Sequence, residues 1–170
     1  MNLKQKAAAS LAAALVIALP VVKTFEGRSL VAYLDPVRIP TICDGWTHGV
    51  RMGDQATSEQ CDALTRQGLD DASVVLTRWV PAEVVGRMSP RTVAAFLSFI
   101  YNVGPGMPGE KDGFVWLKSG KHSTMLRHLQ AGRIAEACAQ LPFWVNAGDR
   151  KLRGLERRRA AERQLCEAGL

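Results

Sequence analysis

The chain opens MNLKQK and then runs from Ala7 to Val22 without a charge, and Glu26 stands only four residues beyond that run. Any fold must place sixteen consecutive uncharged residues, seven of them alanine, at one end of the molecule. As a helix rising about 1.5 Å per residue, the run spans roughly 24 Å, short of the roughly 30 Å hydrocarbon core of a bilayer. It is a marginal span. A cleaved signal peptide would need a small-x-small site after the apolar stretch; Ala12 and Ala14 lie inside it, and Ala18 follows Leu15, Val16 and Ile17. A buried core helix would meet an interruption at Pro20, which lacks a backbone donor. An uncleaved signal anchor fits best, because Lys4, Lys6 and the amino terminus precede the run and only Lys23 and Arg28 follow it soon after. That asymmetry places the N-terminus in the cytoplasm and the rest outside.

With residues 1–22 set aside as an anchor, residues 23–170 are enough for one domain with a sizeable core and too few for two ordinary ones. The formal charge of +6 points to an anionic partner: nucleic acid, a lipid surface or an anionic wall polymer. Much of the excess lies in DRKLRGLERRRAAERQL, where Glu156 and Glu162 are interleaved and Leu152, Leu155 and Leu165 recur at roughly helical spacing. This reads as the solvated face of an amphipathic helix. No zinc-finger or aromatic-basic motif accompanies it, so nucleic acid is not the expected partner. Cys43, Cys61, Cys138 and Cys166 contain no C-x-x-C pair, and the nearby histidine completes no zinc set. Outside the cytoplasm they would form disulfides, with three connectivities open; pairing neighbours along the chain puts one staple in each half.

The pattern after residue 22 is mainly helical, an α+β class with one small β-lobe. Proline, glycine and β-branched residues alternate through YLDPVRIPTICDGWTHGVRMGD, which predicts short strands and turns. Thr57 or Ser58 caps a helix to about Leu69, with Gln60 able to complete a capping box. ASVVLTRWVPAEVVGRM holds another helix and a turn at Pro81. Ser89-Pro90 opens the helix that should be central to the core, burying Val93, Phe96, Leu97 and Ile100 and stopping at Gly104. Further helices are expected around 123–131, 133–141 and 152–168.

The same β-lobe carries candidate chemistry. Cleaving a glycosidic bond takes a carboxylic acid to protonate the leaving oxygen and a second group to prepare a nucleophile on the other face of the sugar. Glu26 at a helix end is the candidate acid, Asp35 nine residues on is a candidate base for water, and the Thr41 hydroxyl six residues further is placed to orient that water.

The motif Glu-x8-Asp-x5-Thr within FEGRSLVAYLDPVRIPTICDG resembles the catalytic signature of the phage-type lysozymes, glycoside hydrolase family 24. TSEQCDAL, SFIYNVGPG, LKSGKHSTMLRHLQAG, FWVNAG and GLERRRAAERQLC follow in the family's order and cover nearly all of the chain after residue 22. Within the family the resemblance is to signal-anchor-release endolysins of lambdoid phages, which share an apolar N-terminus and four matching cysteines. The resemblance implies a lysozyme-like fold with a small β-lobe and a larger helical lobe. It also implies hydrolysis of the β-1,4 bond between N-acetylmuramic acid and N-acetylglucosamine, with inversion, Glu26 as general acid, Asp35 activating water and Thr41 orienting it. No metal and no organic cofactor is implied; the partners are peptidoglycan and, through residues 7–22, the bacterial inner membrane. A monomer suffices. Where relatives carry Gly-His-Thr, this chain has Gly45, Trp46, Thr47 and then His48. Trp46 and His48 are therefore candidate substrate contacts or shapers of the β-lobe.

These readings imply a control scheme. Glu26, four residues past Val22, stays near the lipid while residues 7–22 span the membrane, and release to the periplasm lets the segment refold against the body and deliver the acid. Residues 1–22 contain no cysteine, so a thiol switch in the anchor is excluded. Two rival readings are a lytic transglycosylase, which closes a 1,6-anhydro product without water, and a membrane-tethered wall-binding or membrane-disrupting protein without catalysis.

Overall fold

The computed structural model describes residues 3–35, 38–148 and 150–170. Helix α1 (Leu3–Phe25) is followed by an antiparallel pair, β1 (Ser29–Leu34) and β2 (Pro40–Cys43), and then by the long helix α2 (Ser58–Trp79). A short α3 (Ala82–Val85) leads into α4 (Pro90–Val103), the central helix. The chain closes with α5 (Thr124–Gln130), α6 (Ile134–Cys138), a two-residue strand pair β3 (Asn146–Ala147) and β4 (Arg150–Lys151), and α7 (Arg153–Glu167). The expected α+β class, with a small β-lobe and a larger helical lobe, is what forms. Val93 to Phe99 on α4 are almost wholly buried, with α1, α2 and α7 packed around them. Disulfides join Cys43 to Cys61, tying β2 to α2, and Cys138 to Cys166, tying α6 to α7.

Two features differ from expectation. Pro20 does not interrupt α1, which continues to Phe25. Pro20 is exposed, so the Val16 carbonyl it leaves without a helical donor lies on the outer side, where Val16 is 75% exposed and water can serve it. The helix α2 runs through Gly68 to Trp79 without stopping near Leu69. Gly68 is needed there because any side chain would start 2.5 Å from the Tyr101 ring, so the glycine lets α2 and α4 approach. On α1 the residues Ala7, Ala14, Ala18 and Val22 form one buried stripe, and the Ser10 hydroxyl donates to the Met88 carbonyl at 3.1 Å. Its outer face, including Ala8, Ala9, Ala12 and Ala13, is exposed. A helix apolar on every side is the composition of a membrane span, and α1 is long and apolar enough to be one.

Candidate active site

Glu26 follows directly on the last residue of α1, its N–H donating to the Val22 carbonyl at 2.9 Å. Its Oε1 accepts from Arg158 Nη1 on α7, across 132 residues of sequence. Arg158 is 2% exposed and also donates through Nε to Glu162 Oε1 at 2.9 Å and through Nη2 to the Ser98 carbonyl at 3.1 Å. Glu162 binds Arg159 through its other oxygen and accepts the Ser98 hydroxyl at 2.7 Å. Arg159 in turn donates to Asn102 Oδ1 and to the Trp144 carbonyl, and its guanidinium lies 4.7 Å over the Phe99 ring. An ionic chain thus runs from Glu26 through Arg158, Glu162 and Arg159 to Asn102. This corrects the reading of the basic C-terminus as a solvated face. Arg153, Arg157 and Arg163 are exposed as expected, but Arg158, Arg159 and Glu162 are core residues that anchor the acid. The available signal was Glu162 standing four residues after Arg158 and three after Arg159, the spacing at which helical side chains meet.

The β-lobe holds the other two predicted residues. Asp35 follows β1, its Oδ1 accepting the Ile39 N–H at 2.8 Å and its carbonyl the Arg38 N–H at 2.9 Å; Pro36 and Val37 lie outside the described residues. Thr41 pairs with Tyr33 across the sheet, is 3% exposed, and donates its hydroxyl to the Ile39 carbonyl at 3.0 Å. That leaves the hydroxyl lone pairs as acceptors. The Tyr33 phenol is pushed above its ordinary value by burial and then by the carboxylates of both Glu26 and Asp35. Both acids therefore act on one region. A side chain at position 45 would begin 3.6 Å from Glu26 Oε2, and Gly45 has φ +91°, so glycine keeps that oxygen's surroundings open.

Beside the acid lies a second ionic cluster. Arg28 donates to Asp44 Oδ1 at 2.9 Å and to Asp62 Oδ1 at 2.6 Å; Lys23 reaches Asp62 at 2.8 Å and the Thr65 hydroxyl reaches Asp44 at 2.6 Å. It clamps the end of α1 to both β2 and α2. Tyr101 donates to the Asp44 carbonyl at 2.8 Å, and burial followed by the Glu26 charge pushes its phenol up to about 12. Burial alone would raise the Asp44 carboxyl, but hydrogen bonds from Arg28 and Thr65 outweigh it and hold the group below the ordinary carboxylate range. A depressed folded-state value adds stability that is complete above the unfolded value of about 3.9 and is lost as pH falls through the folded one. Denaturation midpoints should therefore decline on acidification below about pH 5, and Asp44→Asn should flatten that decline.

Trp46 and His48 hold each other. The Trp46 indole donates to the His48 carbonyl at 3.0 Å, and the two rings meet edge to face at 5.2 Å. Trp46 also bridges back to Ile42, so the pair shapes the turn after β2. Both border a cavity of about 380 Å³ between the lobes, lined also by Val75, Tyr101, Asn102 and Lys111. Arg159 occupies Asn102 Oδ1, and among the described residues the Asn102 carboxamide nitrogen has no acceptor. A roomier cavity of about 650 Å³ lies along the outer side of α7, and none of the predicted trio lines it.

The phage lysozyme family profile matches residues 23–162. The chain is 32% identical over 158 residues to the SAR-endolysin of Pseudomonas phage phiKMV, covering 91% of this chain and 88% of that one. It superposes on the crystal structure of the active form of the P1 phage endolysin Lyz with a TM-score of 0.73 and 26% identity, covering 89% of this chain and 83% of the other. It is also similar to the muramidase domain of SpmX from Asticaccaulis excentricus, with a TM-score of 0.72, 27% identity and coverage of 88% and 94%. With its two lobes, its N-terminal apolar helix and the profile match over most of its length, the chain belongs to the phage lysozyme family, with SAR-endolysins among its relatives.

Proposed function

We propose that the chain hydrolyses the β-1,4 bond between N-acetylmuramic acid and N-acetylglucosamine, with inversion. The observation that carries this is the seating of Glu26 on Arg158 beside the lobe that bears Asp35 and Thr41. Glu26 gives its proton to the departing glycosidic oxygen. Asp35 takes one proton from a water whose other hydrogen is held by a Thr41 lone pair, which aims the water's oxygen at the anomeric carbon from the opposite face. Atoms balance: one water is consumed and two hydroxyl ends appear. Mass spectrometry of digested peptidoglycan should give reducing muramic ends, and NMR at short times should show the inverted anomer. A predominance of 1,6-anhydro ends would establish the transglycosylase instead.

The same reading covers control. Residues 1–22 hold the chain in the inner membrane with residues 23–170 as the catalytic domain in the periplasm, and the enzyme acts once α1 leaves the bilayer. Val22 is buried against the body and Glu26 follows one helical turn later, about 6 Å along the axis. While residues 7–22 span lipid, that short tether keeps Glu26 away from Arg158. Alanine favours the exchange, since each loses far less apolar surface on leaving lipid than leucine would. Its small side chain also lets α1 lie close on α4. The disulfides, both outside residues 1–22, serve stability.

A further inference from the structure

Three half-buried rings gather where α2 ends. Trp79 is the last residue of α2, while Trp116 and His122 face each other as a cross-strand pair in the segment after α4. Their centroids are 5.7 Å apart for Trp79 and Trp116, 5.3 Å for Trp79 and His122, and 4.4 Å for Trp116 and His122, all edge to face. The arrangement is rigid. The Trp116 N–H donates to the Pro105 carbonyl at 2.9 Å, Ser123 ties back to Val115 at 3.0 Å, and Gln130 donates to the Trp79 carbonyl at 3.1 Å. Unlike Phe96, Phe99 and Phe114, which are fully buried, these rings keep part of their surface outside. Among the described residues, neither the Trp79 nor the Trp116 indole N–H has a hydrogen-bond partner, and no buried side-chain donor is unsatisfied, so both N–H groups reach solvent.

Their position continues the cleft. Gly68, Asp71, Ala72 and Val75 of α2 line the cavity between the lobes, and Trp79 stands one turn past Val75, about 6 Å further along the same helix. Pro105, from which the Trp116 backbone hangs, lines that cavity too. We propose that Trp79, Trp116 and His122 form an outer saccharide-binding platform that grips the glycan strand beyond the sugars held between the lobes. The proposal rests on the muramidase reading for its ligand. A pyranose offers an apolar C–H face and a rim of hydroxyls, and the platform offers apolar ring surface with two outward indole donors and an imidazole. Preordered rings lose little conformational freedom on binding, which favours this use of them.

The test uses the full-length Glu26→Gln chain, titrated calorimetrically with peptide-free glycan strands of ten or so sugars and with the tetrasaccharide as the short ligand. We expect the long strand to bind about tenfold more tightly than the tetrasaccharide. Trp79→Leu and Trp116→Leu, which keep apolar volume but remove ring face and N–H, should abolish that excess and leave tetrasaccharide affinity unchanged. Equal affinity for both ligands in the parent chain, or equal weakening of both in the variants, would overturn the platform and leave the rings as packing alone. Hydrolysis by the native chain is scored separately through reducing ends, so failure of the muramidase reading is distinguishable from failure of the platform.

Discussion

Glu26→Gln should lower the rate of peptidoglycan hydrolysis by about a thousandfold, within the range by which a positioned general acid accelerates such a step. The carboxamide is nearly isosteric, and its carbonyl oxygen can still accept from Arg158 Nη1, so the end of α1 stays seated. What is removed is a proton that can be given to the leaving oxygen. The rate of reducing-end release, measured alongside the melting temperature, separates lost chemistry from lost folding. Retention of more than a tenth of the native rate would take Glu26 out of the acid role.

The second large effect falls on a residue that never meets substrate. Glu162 is wholly buried and satisfies Arg158, Arg159 and the Ser98 hydroxyl together. Glu162→Leu leaves Arg159, 1% exposed, without a carboxylate partner and Arg158, 2% exposed, with Glu26 alone, and breaking such a buried network costs roughly 3–5 kcal/mol. For a chain of this size that is a fall of about 10 °C or more in melting temperature. Replacing Arg158 and Arg159 with Met together with Glu162→Leu should recover most of the stability, since no charge inside α7's buried face is then left alone and Glu26, which loses its partner, is only half-buried. Activity should not recover, because Glu26 has lost the guanidinium that orients it. A triple variant with native activity would show that the ionic chain only holds the lobe together.

The contrast between Glu26 and Glu162 shows what the sequence could reveal. Elements defined by local chemistry were legible: the Thr57–Gln60 capping box forms at the start of α2, and Ser89-Pro90 and Gly104 bound α4. The acid's place at a helix end was legible too, as Glu26 closes α1. The end of α2 was not, because nothing local marks that Gly68 exists for the close approach of Tyr101, while Leu69, Ala72 and Leu76 bury the helix well beyond it. Arg158 and Arg159 were also hidden. In a run such as LERRRAAER every charge looks solvated, and only contacts spanning from Glu26 and Ser98 to α7 turn three of them into core. The packing of α1 on the body follows from its composition, since small alanines at Ala7, Ala14 and Ala18 let the helix lie close.

The most direct test of anchor control is peptidoglycan hydrolysis by one preparation of the full-length chain, divided into membrane-held and released fractions and normalised to protein. Activity is expected in the released fraction, with at most a few per cent of it while α1 spans the membrane, because Glu26 would reach Arg158 only after α1 docks on α4. Comparable activity in both fractions would contradict it, showing that the acid is in place while the anchor is still in lipid.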